Sequence, residues 1–119
     1  MPQVTLPSAG ELLDQMRTAA SGILQKDIST VQGFSKSQLE KIAAHTVSVL
    51  ELEATGAFKG NDALRDHFVK GVEELTRLFV RTLQGLVMIT IEKIWNALVN
   101  VIWGAIDKAI GFQLPRPKL

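Results

Sequence analysis

The side chains of this sequence that could bind a metal ion are few and scattered. His45 and His67 are the only histidines, and the chain contains no cysteine. In a helical hairpin that turns near residue 58, the two histidines lie at different distances from the turn and do not face each other. No Glu-x-x-His pair is present to build a di-iron centre. We therefore predict no metal site.

Catalytic and nucleotide-binding motifs are also missing from the sequence. None of the serines lies in a Gly-x-Ser-x-Gly turn, and the glycines form neither a GxGxxG pattern nor a phosphate loop. Charged residues cluster around the expected turn: Glu51, Glu53, Lys59, Asp62, Arg65 and Asp66. The mixture of signs is typical of a solvated hairpin tip. We predict no catalytic residue, no cofactor and no enzymatic activity.

Composition excludes further classes of protein. A chain of 119 residues is long enough for one domain, which we assign to 1–119. Its 13 Lys and Arg residues are intermixed with 12 Asp and Glu residues, so no basic stripe for nucleic acid is present. The first residues, MPQVTLPSAGELLDQM, contain neither a positive segment nor an apolar run, so we expect no signal peptide.

Helix starts are clear in the first half of the chain. Ser8 and Glu11 have the spacing of a capping box, and the apolar periodicity that follows predicts a first helix over 9–32. A second capping signal at Ser35 begins a helix predicted over 36–55. Short connections between helices favour antiparallel neighbours.

The second half of the chain predicts one long helix. Asn61 supplies its N-cap, and neither proline nor a cluster of turn residues interrupts the chain as far as residue 110. We therefore predict a helix of about 50 residues over 61–110, with Gly85 as its weak point. The predicted fold is all-α: an antiparallel helical hairpin with an N-terminal helix and this long C-terminal helix, assembled into an oligomeric bundle.

The segment 86–106 is the most apolar part of that long helix. Of its 21 residues 15 are apolar, so it must be covered by other helices, by copies of itself or by lipid. The second helix can reach only the first half of the long helix, and the first helix can cover one side, which leads us to expect an oligomer. The residues predicted at the oligomer interface or in the core are Leu86, Ile89, Ile91, Ile94, Trp95, Leu98, Ile102 and Trp103.

A narrow polar stripe of Glu92, Asn96 and Asn100 runs along the same segment. It could face water, pair between subunits, or line the lumen of a membrane oligomer. A bilayer span is disfavoured because Glu92 and its neighbour Lys93 lie near the middle, where each charge costs about 2.5 to 3.5 kcal/mol. We therefore rank a soluble assembly above a membrane protein.

Both ends of the chain are predicted to be extended arms, over 1–8 and 111–119. Their prolines favour an extended, polyproline-like backbone. Such arms are either disordered ends or segments that dock on a neighbouring subunit. The docking residues would be Pro115, Arg116, Pro117 and Leu119.

The run FVRTLQGLVMITIEKIWNALVNVIWGAI, residues 79–106, resembles the C-terminal part of small uncharacterised all-helical proteins from the structural gene modules of tailed bacteriophages and prophages. The resemblance implies a virion component that is made in the host cytoplasm, is present in several copies, and contacts itself and other virion proteins. The leading hypothesis is a non-enzymatic structural or assembly protein. The alternative is a membrane-active helical protein, holin-like or part of an ejection pore.

Overall fold

A computed structural model describes residues 6–119, and all the regular secondary structure over that range is helical. The helices are α1 (Ala9–Leu24), α2 (Lys36–Ala54), α3 (Asp62–Thr82) and α4 (Met88–Ile110), with a 3₁₀ turn at Ile28–Thr30. Helix α2 begins at the predicted residue and ends one residue early. The predicted all-α class is confirmed. Most of the N-terminal arm, residues 1–5, lies outside the described residues.

Local capping explains where the first three helices begin. Ser8, Ser35 and Asn61 each accept a hydrogen bond from the backbone N–H three residues later, at 3.1, 3.3 and 3.1 Å. Each bond satisfies one of the N–H groups that has no partner in the first turn of a helix. These starts depend on neighbouring residues only, which is why the sequence predicts them.

The prediction of a first helix over 9–32 is wrong at its end. Helix α1 stops at Leu24, because Gln25 adopts the left-handed conformation with φ of 57°. The hydroxyl oxygen of Ser21 then accepts a hydrogen bond from the backbone N–H of Ile28 at 3.0 Å. This turn carries the Ile28 side chain into the core, where it is fully buried.

The prediction of one helix over 61–110 is also wrong. The chain leaves the helical conformation over residues 83–87, and the longest helix is α4, with 23 residues. Gly85 has φ of 76°, a conformation that a residue with a side chain rarely adopts. The break reverses the chain and folds α4 back onto the first three helices.

A contact with the loop before α2 fixes this break. The backbone N–H of Gln84 donates a hydrogen bond to the carbonyl oxygen of Gln32 at 2.8 Å. Beside it, Gly33 approaches the end of α3 so closely that a Cβ atom there would lie 1.9 Å from the carbonyl oxygen of Thr82. The end of α3 is therefore set by a tertiary contact that a local sequence pattern does not reveal.

The four helices form antiparallel neighbours. Side-chain contacts between Glu53 and Arg65 at one end, and between Gln38 and Thr82 at the other, show that α2 and α3 run in opposite directions. Helix α1 makes the most extensive contact with α4, and its beginning shares a surface groove with the end of α4. Helix α4 also packs against α2 and α3.

Helix α4 supplies much of the single hydrophobic core. Its fully or almost fully buried side chains are Ile94, Trp95, Leu98, Val99, Ile102, Trp103 and Ile106. The expectation that one chain cannot cover this segment is wrong, because the break at 83–87 lets three helices of the same chain surround it. An oligomeric bundle is therefore not required to bury the apolar segment.

Candidate interaction surface

The structure does not bring the two histidines together. His45 on α2 and His67 on α3 are both exposed. In the antiparallel register of these helices, the position opposite His67 lies about two helical turns from His45. Within residues 6–119, no three His, Asp or Glu side chains form a group that could hold a metal ion.

The charged cluster at the α2–α3 turn is only partly a solvated tip. Arg65 makes a two-pronged contact with the Glu53 carboxylate, with nitrogen–oxygen distances of 3.1 and 3.2 Å. The two side chains are only 12% and 15% exposed. The contact raises the pKa of the Arg65 guanidinium above its usual value, because the hydrogen bonds to Glu53 favour the charged form. This pair closes the hairpin between α2 and α3.

The structure divides the eight residues predicted at the interface or in the core. Five of them are at most 1% exposed and belong to the core of the single chain: Ile94, Trp95, Leu98, Ile102 and Trp103. Leu86 and Ile91 are half-buried, whereas Ile89 is 61% exposed. Of the eight, only Ile89 is therefore a freely exposed side chain on which a second molecule could dock.

Ile89 belongs to a group of three consecutive exposed apolar residues, which we call the apolar tip. Val87 and Met88 are 65% and 63% exposed and stand directly before Ile89 at the start of α4. Val87 is the N-cap residue of α4 and makes no side-chain capping hydrogen bond. The tip is exposed because the chain has just turned at 83–87, where the bundle ends. Val87 and Met88 were not predicted to be surface residues, although the nearby Gly85 was a signal for a turn.

The predicted polar stripe lies on the surface of the chain. Glu92, Asn96 and Asn100 are all exposed along α4. Glu92 and Asn96 lie beside the last two residues of the chain, Lys118 and Leu119, around a shallow depression. The stripe marks the solvent-facing edge of α4.

The C-terminal arm docks on its own chain through a group of residues that we call the arm seat: Arg77, Trp95 and Asp107. The Asp107 carboxylate accepts hydrogen bonds from the backbone N–H of Leu114 at 2.9 Å and from the Arg116 guanidinium at 2.6 Å. Both carboxylate oxygens are used, one for each donor. Asp107 therefore fixes the direction in which the arm leaves α4.

The other two residues of the arm seat, Trp95 and Arg77, donate hydrogen bonds to backbone carbonyl groups near the end of the arm. The indole N–H of Trp95 donates to the carbonyl oxygen of Pro117 at 3.0 Å, and the Arg77 guanidinium donates to that of Lys118 at 3.0 Å. The guanidinium also stacks 4.9 Å from the centre of the Trp95 ring. A buried indole N–H needs an acceptor, and the arm supplies it.

The structure therefore gives the predicted docking residues a partner within the chain. Arg116 and Pro117 are half-buried in the seat, whereas Pro115 and Leu119 are exposed. The extended conformation predicted for 111–119 agrees with the absence of helix after Ile110. The prediction of docking on a neighbouring subunit stays a prediction.

Comparisons with protein-family models, with curated proteins and with solved structures find no match to this chain. Among the helices between residues 6 and 119, none combines the length and the apolar character needed to cross a bilayer. Two surfaces of the molecule, the apolar tip and the arm seat, are therefore the candidates for binding a partner.

Proposed function

We propose that this protein is a non-enzymatic structural protein that assembles with copies of itself through the apolar tip of its C-terminal helix, and that it is a component of a bacteriophage particle. The observation that carries the proposal is the exposure of Val87, Met88 and Ile89, each above 60%, side by side at one end of the bundle. The large apolar residues elsewhere on α4 are buried or half-buried. Contiguous exposed apolar residues are typical of surfaces that bind other proteins.

The tip can support a weak contact between two chains. Full burial of a Val, Met or Ile side chain contributes about 1.5 to 3 kcal/mol, so burial of the exposed part of six such side chains contributes roughly 6 to 11 kcal/mol. Association costs about 4 to 15 kcal/mol in lost freedom of motion. At the favourable end of these ranges the net is a few kcal/mol, so we expect dimers only at high micromolar concentration, and we expect them to become stable when many copies are arranged side by side.

A role in a virion is supported by the resemblance of residues 79–106 to helical proteins of phage structural modules. A weak contact suits such a role, because a protein repeated around a particle makes the same contact many times. A two-fold arrangement would place the tip of one chain against the tip of the next.

The test is a pair of matched substitutions. Met88→Glu places a carboxylate in the tip, at the first turn of α4, where the helix dipole favours a negative charge. Leu64→Glu makes the same change in the first turn of α3, at a residue that is 36% exposed and lies far from the tip. Neither change should disturb the fold, which circular dichroism would verify.

Sedimentation equilibrium from low to high micromolar concentrations, below the millimolar range, then measures self-association. We expect the mass of the unchanged protein and of Leu64→Glu to rise above 13.0 kDa with concentration, while Met88→Glu stays at that mass. Identical curves for the unchanged protein and Met88→Glu would refute the tip as the contact surface. An unchanged protein that stays monomeric at every concentration would refute self-association.

A membrane-active role is the second candidate, and the same tip is the observation that favours it. Three adjacent apolar side chains at a helix end can enter the interface of a bilayer without crossing it. Flotation with phospholipid vesicles distinguishes the two roles. Binding that is lost in Met88→Glu but kept in Leu64→Glu would favour the membrane role, whereas protein that stays with the aqueous phase would favour assembly.

A further inference from the structure

The arm seat is complementary to an extended, proline-containing peptide. Proline has no backbone N–H, so Pro115 and Pro117 bring no donor that would need a partner. The donors that the arm does use, the N–H of Leu114 and the guanidinium of Arg116, both point to Asp107. Asp107 in the seat therefore supplies an acceptor for each of these two donors of the arm.

The seat is partly buried, and its polar groups are satisfied by the arm. The Trp95 side chain is fully buried, and those of Arg77 and Asp107 are each 16% exposed. Beyond Glu73 and Glu74, which pair with Arg77 at 3.0 and 4.0 Å, the polar partners of this group come from the arm. Without an arm in the seat, the Trp95 N–H would lose its acceptor, so the occupied seat has the lower free energy.

The arm is joined to the bundle through a short, exposed connection at residues 111–113. Gly111 ends α4 in the left-handed conformation with φ of 86°, and Phe112 and Gln113 after it are exposed. From Leu114 onward, the hydrogen bonds that the arm makes to the bundle are those to the three seat residues. An identical arm from another chain would form identical contacts.

We propose that the C-terminal arm is exchanged between copies of this protein, so that Leu114–Leu119 of one chain occupies the arm seat of a second copy. This inference builds on the self-association proposed above and names a second contact for it. Reciprocal exchange preserves every contact between arm and seat, and only the freedom lost on association opposes it.

The concentration at which exchange occurs follows from the length of the arm. A short flexible connection gives the chain's own arm an effective concentration of about millimolar at its seat. A dilute chain therefore keeps its own arm, whereas copies packed in a particle reach a concentration at which exchange competes. Residues 111–113 join α4 to the exchanged segment and span at most about 10 Å when extended. Exchange therefore requires the seat of the second copy to lie directly beside the end of α4 of the first.

The docked arm runs back from the Gly111 hinge past Asp107 and Trp95 and ends beside Glu92, in the first half of α4. The apolar tip is at its first residue and the Gly111 hinge follows its last, about 35 Å away along a helix of 23 residues. Alternation of a tip contact and an arm exchange would link many copies, as a structural protein requires.

A charge reversal between arm and seat tests the exchange with full-length chains. Asp107→Arg alone and Arg116→Asp alone each place like charges together when the arm occupies its own seat. In an equimolar mixture, the original pairing of the Asp107 carboxylate with the Arg116 guanidinium is available only between two different chains. The double variant Asp107→Arg/Arg116→Asp is the control, because it restores opposite charges within one chain.

We expect each single variant and the double variant to remain near 13.0 kDa by light scattering at about 50 μM, because this concentration lies below the millimolar effective concentration of a chain's own arm. We expect the mixture of the two single variants to form a species of twice that mass. The mixture should associate at least tenfold more tightly than either variant alone. A mixture that stays at the mass of one chain would overturn arm exchange. Since these variants leave the tip unchanged, the Met88→Glu comparison still judges the tip contact by itself.

A cross-linking experiment provides a second test that keeps the seat residues intact. The chain has no cysteine, so Asn96→Cys and Leu119→Cys, which lie at one depression where the arm ends, introduce the only thiols. Chains carrying one substitution each are mixed at millimolar concentration and oxidised. Exchange predicts a disulfide-linked pair of unlike chains, and formation of like pairs only would contradict it.

Discussion

Replacement of Gly33 by alanine tests the contact that ends α3. A Cβ atom at this position would lie 1.9 Å from the carbonyl oxygen of Thr82, next to the 2.8 Å hydrogen bond from Gln84 to Gln32. Either the loop or the end of α3 must move. Gly56 offers a matched control, since its φ of 80° is close to the 88° of Gly33 and no atom lies within 4 Å of its Cβ position.

The difference between the two variants isolates the close approach. Alanine in the left-handed conformation costs about 1 to 2 kcal/mol at either position. At Gly33, displacement of packed backbone adds about 1 to 3 kcal/mol, and a weakened hydrogen bond between Gln84 and Gln32 adds about 0.5 to 1.5 kcal/mol. We therefore expect the free energy of unfolding to fall by about 1 to 2 kcal/mol in Gly56→Ala and by about 3 to 6 kcal/mol in Gly33→Ala.

Urea denaturation measures these differences directly. Both tryptophans are buried in α4, so their fluorescence follows unfolding of the bundle. The unfolding midpoint of Gly33→Ala should lie well below that of Gly56→Ala, which in turn should lie slightly below that of the unchanged protein. Equal midpoints for the two variants would show that the approach of Gly33 to α3 contributes nothing and would refute this account of the break.

Three further predictions concern polar contacts. Glu53→Gln should lower the free energy of unfolding by about 1 to 3 kcal/mol in urea titrations, because the largely buried Arg65 loses its buried ionic partner and keeps only the exposed Asp62. The backbone N–H of Ser29 lowers the pKa of the Asp27 carboxyl below its ordinary value of 3.8. The stabilising contribution of this carboxylate is therefore complete above pH 3.8 and is lost as the pH falls through the lowered pKa. The melting temperature of Asp27→Asn should differ from that of the unchanged protein at pH 6 and should converge with it in acid. Thr76→Val should leave the melting temperature nearly unchanged, because the buried hydroxyl donates only to a carbonyl of its own helix.

The sequence predicts the features that neighbouring residues determine. The caps at Ser8, Ser35 and Asn61 are local, and each begins a helix at the expected place. The break at 83–87 is different, because its contacts come from the loop around Gly33, about fifty residues earlier. A single glycine without proline is a weak signal of such a break.

The candidate surfaces were harder to predict for a related reason. Residue type alone does not distinguish a core position from an interface position, so Trp95 and Ile89 looked alike although one is buried and the other exposed. The arm seat left two signals in the sequence. Asp107 stands in the last turn of α4, where the helix dipole disfavours a negative charge, and this indicates a cationic partner such as Arg116. Trp95, once assigned to the core, also required an acceptor for its indole N–H.

The break between α3 and α4 creates both surfaces. In a continuous helix, residues 87–89 would lie in the middle of the helix. The break places them at one end of the bundle, where no other helix covers them. The same reversal brings Arg77 of α3 beside Trp95 of α4 and so assembles the arm seat. A substitution that displaces the end of α3, such as Gly33→Ala, should therefore weaken tip-dependent association and arm docking together. Met88→Glu and Arg116→Asp should each affect only one of them.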